Sequence, residues 1–201
     1  MKLTYTKIAG LAGALVLPWF TLAASAAETY KLDPAHSRVG FAVAHMVINT
    51  VHGKFNEFSG TVSLEHNTVQ SASGTIQVKS IDTGIARRDA HLQSPDFFDA
   101  AKYPTITFQS KRAEQRQGET VLVGDFTMHG VTKELALPVT VKGPIKDPWG
   151  NSRIGLQAKA KLNRRDYGLQ YNQMLETGGL VVGDEIEIEL NAEAVLSAAP
   201  R

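Results

Sequence analysis

Between Ile186 and Leu196 every second residue is apolar: Ile186, Ile188, Leu190, Ala192, Ala194 and Leu196 alternate with mostly charged or polar neighbours. Successive side chains of a strand point to opposite faces, so this pattern separates a dry face from a wet one only if the segment is extended. The same period recurs along the chain, in Val39, Phe41 and Val43, in Ala72, Gly74, Ile76 and Val78, in Leu135, Leu137, Val139 and Val141, and in Ile154, Leu156, Ala158, Ala160 and Leu162. Between Gly53 and Leu64 the parity changes, with Phe55 on one phase and Phe58, Gly60, Val62 and Leu64 on the other, which predicts a bulge near Glu57. His129-Gly130 lies between two such runs and predicts a tight hairpin turn. Roughly eight strands joined by short turns predict an all-β fold, an eight-stranded antiparallel up-and-down barrel being more economical than a sandwich because closure leaves no bare edge. Gly60, Ala72, Gly74, Ala158, Ala160, Ala192 and Ala194 are small residues of inward parity. They leave room for a ligand cavity, although small residues also occur where sheets simply pack closely.

The amino end reads differently. Lys2 and Lys7 precede an apolar run from Ile8 to Leu17, and Ala24-Ser25-Ala26 offers a small-residue cleavage site, the three parts of a secretory signal. Residues 1–27 are therefore expected to be a cleaved signal, and 28–201 a single domain in the periplasm. An uncleaved anchor is the rival reading, opposed by Pro18 and the small-residue end. Lys2 and Lys7 are the only charges in that segment, so their loss from 21 Lys and Arg against 20 Asp and Glu leaves a nearly neutral chain with no electrostatic case for nucleic acid. Cysteine is absent, which excludes disulfides and an N-terminal lipid on cysteine. No stable membrane insertion is expected after cleavage.

Arg87 to Phe108 interrupts the strands with crowded charges and aromatics. Ser94-Pro95-Asp96 has the grammar of a helix start, Ser94 as N-cap and Pro95 at the first helical position, which would carry Phe97 and Phe98 on a short helix. Pro104 extends the chain, and Thr105-Ile106-Thr107-Phe108 resumes the strand period.

Leu32-Asp33-Pro34-Ala35-His36-Ser37 with Val39, Phe41 and His45, then Gly53-Lys54-Phe55, then Arg88-Asp89-Ala90-His91-Leu92 with Phe97-Phe98 and Tyr103 to Phe108, resemble the YceI family. So do the stretch Gly124 to Lys133 and the run Asn163 to Leu169, in the family's order over nearly the whole mature chain. The resemblance implies an extended lipocalin-like barrel closed at one side by short helices, with an internal tunnel for a polyisoprenoid such as a polyprenyl quinone or a related amphiphile. It is also compatible with a homodimer.

A prenyl tail offers only hydrophobic area, so its wall must be apolar. Inward parity nominates Phe41, Val43, Phe58, Ile76, Phe97, Phe98, Ile106, Phe108, Phe126, Met128, Leu135, Leu137, Leu156, Leu162, Leu169 and Ile188. Arg88, His91 and His45 are the candidates for touching a polar head group, while Arg164, Arg165 and Asp166 read as pins for a loop. No cofactor is expected besides the bound lipid. A fatty acid or fatty amide in the same barrel, serving stress protection, is an alternative. An enzyme or metal protein using the histidines is the alternative of another class. It has weak support, because His36, His45, His52, His66, His91 and His129 show no tight ligand spacing, and no Cys or Gly-x-Ser-x-Gly nucleophile is present.

Overall fold

The computed structural model describes residues 27–174 and 180–197. The expected signal segment, apart from Ala27, lies outside the described residues. Ten antiparallel strands build one continuous sheet: β1 Glu28–His45, β2 Asn49–Phe55, β3 Phe58–Glu65, β4 Thr68–Gln77, β5 Ile81–Asp82, β6 Thr105–Arg116, β7 Glu119–Met128, β8 Val131–Lys146, β9 Ser152–Asn163 and β10 Val182–Leu196. Neighbours run β1-β3-β4-β6-β7-β8-β9-β10, and β10 returns to β1, from Tyr30↔Leu196 to His45↔Val182. This is the expected eight-position barrel, closed by the β10–β1 pairing. The parity change near Glu57 is more than a bulge: Asn56 and Glu57 split one barrel position into β2, which pairs the second half of β1, and β3, which pairs its first residues.

Tight turns fix the registers. His66-Asn67, Gln117-Gly118 and His129-Gly130 each join two strands with both residues at positive φ, the twist that matches right-handed strands. Gly130 is also required sterically, because a Cβ there would stand 2.5 Å from Cε1 of Tyr103.

The only α-helix among the described residues is α1, Ala86–Gln93. The predicted start at Ser94-Pro95 is in fact a stop. Ser94 is the C-cap, its hydroxyl donates to the His91 carbonyl at 2.8 Å, and Pro95 cannot extend the helix. Helix entry is instead organised by Asp89, whose carboxylate accepts from the Thr83 amide at 2.9 Å and from the Thr83 hydroxyl. Phe97 and Phe98 therefore sit on the turn after the helix. Val78, expected to end a strand, is buried at the head of a 3-10 turn, Val78–Ser80.

The core has two parts. Near α1 it comprises Phe55, Val78, Ile81, Ala100, Ile106, Phe126, Met128, Leu162, Tyr167 and Leu169. Towards the other end it comprises Tyr30, Val62, Leu64, Val69, Leu122, Ile154, Leu156, Ala192 and Ala194.

At that second end Arg153 ties three elements together. Its guanidinium donates to Asp33 of β1 at 2.7 Å, to Asp147 of the β8–β9 loop at 2.8 Å and to Glu193 of β10 at 3.3 Å. These bonds hold the Asp33 carboxyl down at about 2 and the Asp147 carboxyl well below the usual carboxylate range. A carboxyl whose folded value is depressed stabilises the fold above its unfolded value of about 3.9 and loses that contribution as pH falls toward the folded value. Arg153→Met should therefore lower the thermal midpoint at pH 7, and between about pH 4 and pH 2 its midpoint should fall less than that of the parent protein. Parallel melting curves at both acidities check this.

Candidate ligand-binding site

The barrel is hollow between its two core parts. The cavity measures about 240 Å³ and its surface is almost wholly apolar. β1 contributes Val39, Phe41 and Val43, β8 contributes Leu135, Leu137 and Val139, and β10 contributes Ile186, Ile188 and Leu190, each triplet being one face of a period-two strand. Every one of the sixteen apolar residues nominated by parity lines this cavity. Many of them, including Phe41, Phe108, Leu135 and Ile188, are only half-buried, because they border space and not another side chain.

Aromatics close the end nearest α1. The rings of Phe41 and Phe55 lie 5.7 Å apart, and Phe98 meets Phe55 edge-on at 6.3 Å. Phe97 packs on Tyr171 at 4.7 Å. The turn after α1 thus lays both phenylalanines across the barrel end, which sequence reading had assigned to a helix.

The small residues divide. Ala72, Gly74 and Ala158 line the cavity, whereas Ala160 does not, and Ala192 and Ala194 belong to the packed core. At Gly74 a Cβ would meet nothing nearer than the Ser59 carbonyl at 3.7 Å, so the space there is open. At Gly60 it would stand 2.9 Å from Cδ1 of Leu32, so the Leu32 side chain covers that position.

None of the three head-group candidates lines the cavity. Arg88 donates through Nε to the Thr83 hydroxyl at 2.7 Å and through Nη2 to its carbonyl at 2.8 Å, bonds that fix the approach to α1. His91 bonds Asp96 at 3.0 Å and stands edge-on to Phe97 and Tyr171, so it positions the aromatic closure. His45 ends β1 beside Asn49 and Val182.

Two charged residues are among those that line the cavity, Glu189 on β10 and Arg164, the latter only 2% exposed. Its guanidinium donates to the carbonyls of Gly183 (2.9 Å), Leu169 and Val182 (3.4 Å) and to the Asp184 carboxylate (3.2 Å). Burial pushes this guanidinium down from its ordinary value, and Asp184 opposes the shift. Arg164 therefore pins the chain after the second 3-10 turn, Arg164–Tyr167, onto the start of β10, as the sequence had suggested. Its depth was not legible there, because Arg164 and Arg165 look alike in sequence while only one of them is buried.

Among the described residues one group has metal-ligand proximity, Asp33, His36 and Glu193. Arg153 already donates to both carboxylates, so a positive charge occupies the place an ion would take.

A closed antiparallel barrel around one apolar chamber, with its polar groups engaged in structure, defines a lipocalin-like protein. The YceI-like domain profile matches residues 30–194, and the chain belongs to the YceI family. A UPF0312 protein of Vibrio cholerae is 33% identical over 200 residues, covering 97% of this chain and 99% of that one. A UPF0312 protein of Staphylococcus aureus strain N315 is 34% identical over 171 residues, 84% of this chain and 98% of the other. Among solved structures, the Campylobacter jejuni YceI protein is similar with a TM-score of 0.66 and 28% identity, over 77% of this chain and 90% of that one. A polyisoprenoid binding domain from Saccharophagus degradans shares the fold at TM-score 0.65 and 18% identity, over 84% of this chain and 98% of its own.

Arg164→Met should remove the guanidinium donor from the carbonyls of Leu169 and Gly183, while Asp184 keeps Arg165 and the Val182 carbonyl keeps the Asn172 amide. A loss of about 3 kcal/mol is expected, from unsatisfied buried acceptors each worth about 1–3 kcal/mol. Urea unfolding, with midpoint and slope fitted together, measures it.

Proposed function

We propose that this protein binds a polyisoprenoid lipid, such as a polyprenyl quinone or similar amphiphile, in its barrel cavity, and stores or carries it in the periplasm after export. The observation that carries the reading is the chamber itself, its wall made mostly of Phe, Leu, Ile and Val side chains. Such a wall recognises a hydrocarbon tail by area alone, about 0.8 kcal/mol for each methylene buried. It favours a binding protein over an enzyme, since Arg164 already donates to carbonyls and a carboxylate of its own chain. The polyisoprenoid binding of the Saccharophagus domain supports the choice of tail, at the level of a shared fold. A fatty acid or fatty amide is the second reading, because an apolar wall does not by itself distinguish a branched tail from a straight one.

Organic extraction of the protein purified from its native compartment, followed by mass spectrometry, tests the choice. A prenyl compound is expected, and straight-chain lipids alone would move the assignment to the second reading. Gly74→Phe should fill the open space beside Ser59 and weaken capture of a long prenol by about tenfold or more, the loss of a few buried methylenes. Gly74→Ala, whose Cβ has room, should leave the melting temperature within a few degrees and serves as the folding control. Undiminished binding by Gly74→Phe would remove this part of the chamber from the tail's path.

A further inference from the structure

The barrel wall carries an unpaired seam. The β1–β3 ladder ends at Lys31↔Thr61, and the β1–β2 ladder begins at Val39↔Phe55. Residues 32–38 of β1 and 56–60 opposite them have no register partner in each other among the described residues. The β1 side bulges there, its register against β10 jumping from Asp33↔Glu193 to Arg38↔Asn191. That bulge is tied toward β10, by the Ser37 hydroxyl on the carbonyls of Asp33 (2.7 Å) and Glu193 (3.3 Å). What spans the seam is a side chain, Leu32 lying over Gly60.

Beside this seam the chamber and a pocket on the outer wall share wall residues. A shallow pocket on the outer wall is formed by Pro34, Asn56, Glu57 and Gln77 together with Phe58, Ser59 and Thr75, and the last three also line the chamber. Phe58 has inward parity yet borders both spaces. Ser59 and Thr75 are cross-strand partners whose hydroxyls have no hydrogen-bond partner in the described structure. The barrel end near α1 is closed by Phe97, Phe98 and the loop that Arg164 pins, and the outer pocket lies on that side, the Gln77 backbone amide donating to the Glu57 carbonyl at 2.9 Å and the Gln93 side-chain amide of α1 to the Lys79 carbonyl at 3.2 Å.

We propose that the seam between residues 32–38 and 56–60 is the portal of the chamber, and that the outer pocket beside it holds the ligand's polar end, an uncharged hydroxyl or carbonyl head. The inference rests on the lipid-binding reading and adds where the tail threads the wall and which head is accepted. Leu32 can swing without breaking a ladder bond, so opening costs side-chain packing only. The Asn56 and Gln77 amides and the Ser59 and Thr75 hydroxyls can both donate and accept, which suits a neutral oxygen. Glu57 sets the charge preference: its exposed carboxylate repels an anionic head such as a phosphate. Arg38, the nearby cation on β1, stands on the β10 side, where the Glu189 carboxyl is held low chiefly by Lys159 and Asn191, with Arg38 adding to them.

The absence of native cysteine allows a clean test on the full chain. Pro34→Cys with Ser59→Cys places two thiols across the seam, to be bridged by a short cleavable thiol cross-linker. Exchange of a bound long-chain prenol should slow by about tenfold or more when bridged and recover on cleavage, a change set by the off-rate. Thr140→Cys with Gln157→Cys, bridged across the paired β8–β9 ladder, should leave exchange unchanged. Unaltered exchange in the bridged seam overturns the portal. Failure of the parent protein to take up any prenol overturns the lipid-binding reading itself. In the second arm the parent should bind a prenol about tenfold tighter than the prenyl phosphate of equal length, and Glu57→Gln should narrow that gap severalfold. Equal affinities in the parent, or a gap untouched by Glu57→Gln, overturn the head-group assignment.

Discussion

Everything in this structure depends on the pairing of β1 with β10. An open sheet of these strands would expose two edges and leave its apolar face to water. Closure through Tyr30↔Leu196 to His45↔Val182 turns the same alternation into an enclosed chamber. With no cysteine to staple the ends, that ladder and the Arg153 cluster at one end of it do the closing. The interior is hollow because the inward residues at Ala72, Gly74 and Ala158 are too small to meet across it.

Much of this was legible in the sequence, because one period fixes both the strand and the side chain's face. Phe41, Leu135 and Ile188 could be placed inside by parity alone, and the chamber's wall follows from the same count. The wall also takes in Val39, Val139 and Leu190, members of the same period-two runs that were not among the wall candidates. Leu92 and Val182 were beyond its reach, since one lies on a helix and the other at a strand's first residue.

Misreadings fell where local chemistry has two solutions. Ser-Pro marks a helix boundary from either side, and only the Thr83–Asp89 contact decides that the helix lies before it. Arg88 and His91, the candidates for a head group, each bond a near neighbour in the chain, Thr83 and Asp96. Arg164 carried the opposite lesson, because a buried guanidinium needs partners from Leu169 and the start of β10 that no local pattern reveals. The seam is likewise a property of two registers at once, invisible to any count along one strand.

The partnership of first and last strands also bears on how the chain reaches this state. The Ser197 amide donates to the Thr29 carbonyl at 2.8 Å, so the described ends of the barrel lie side by side. Hairpins such as β6–β7 and β7–β8 form from residues close in sequence, whereas the closing ladder joins residues separated by nearly the whole domain. Contacts of that separation form late, because the loop they close is long. Until β10 arrives, β1 and β9 are both bare edges flanking an exposed apolar face. The chain's period of greatest exposure to aggregation is thus the interval before its final strand docks.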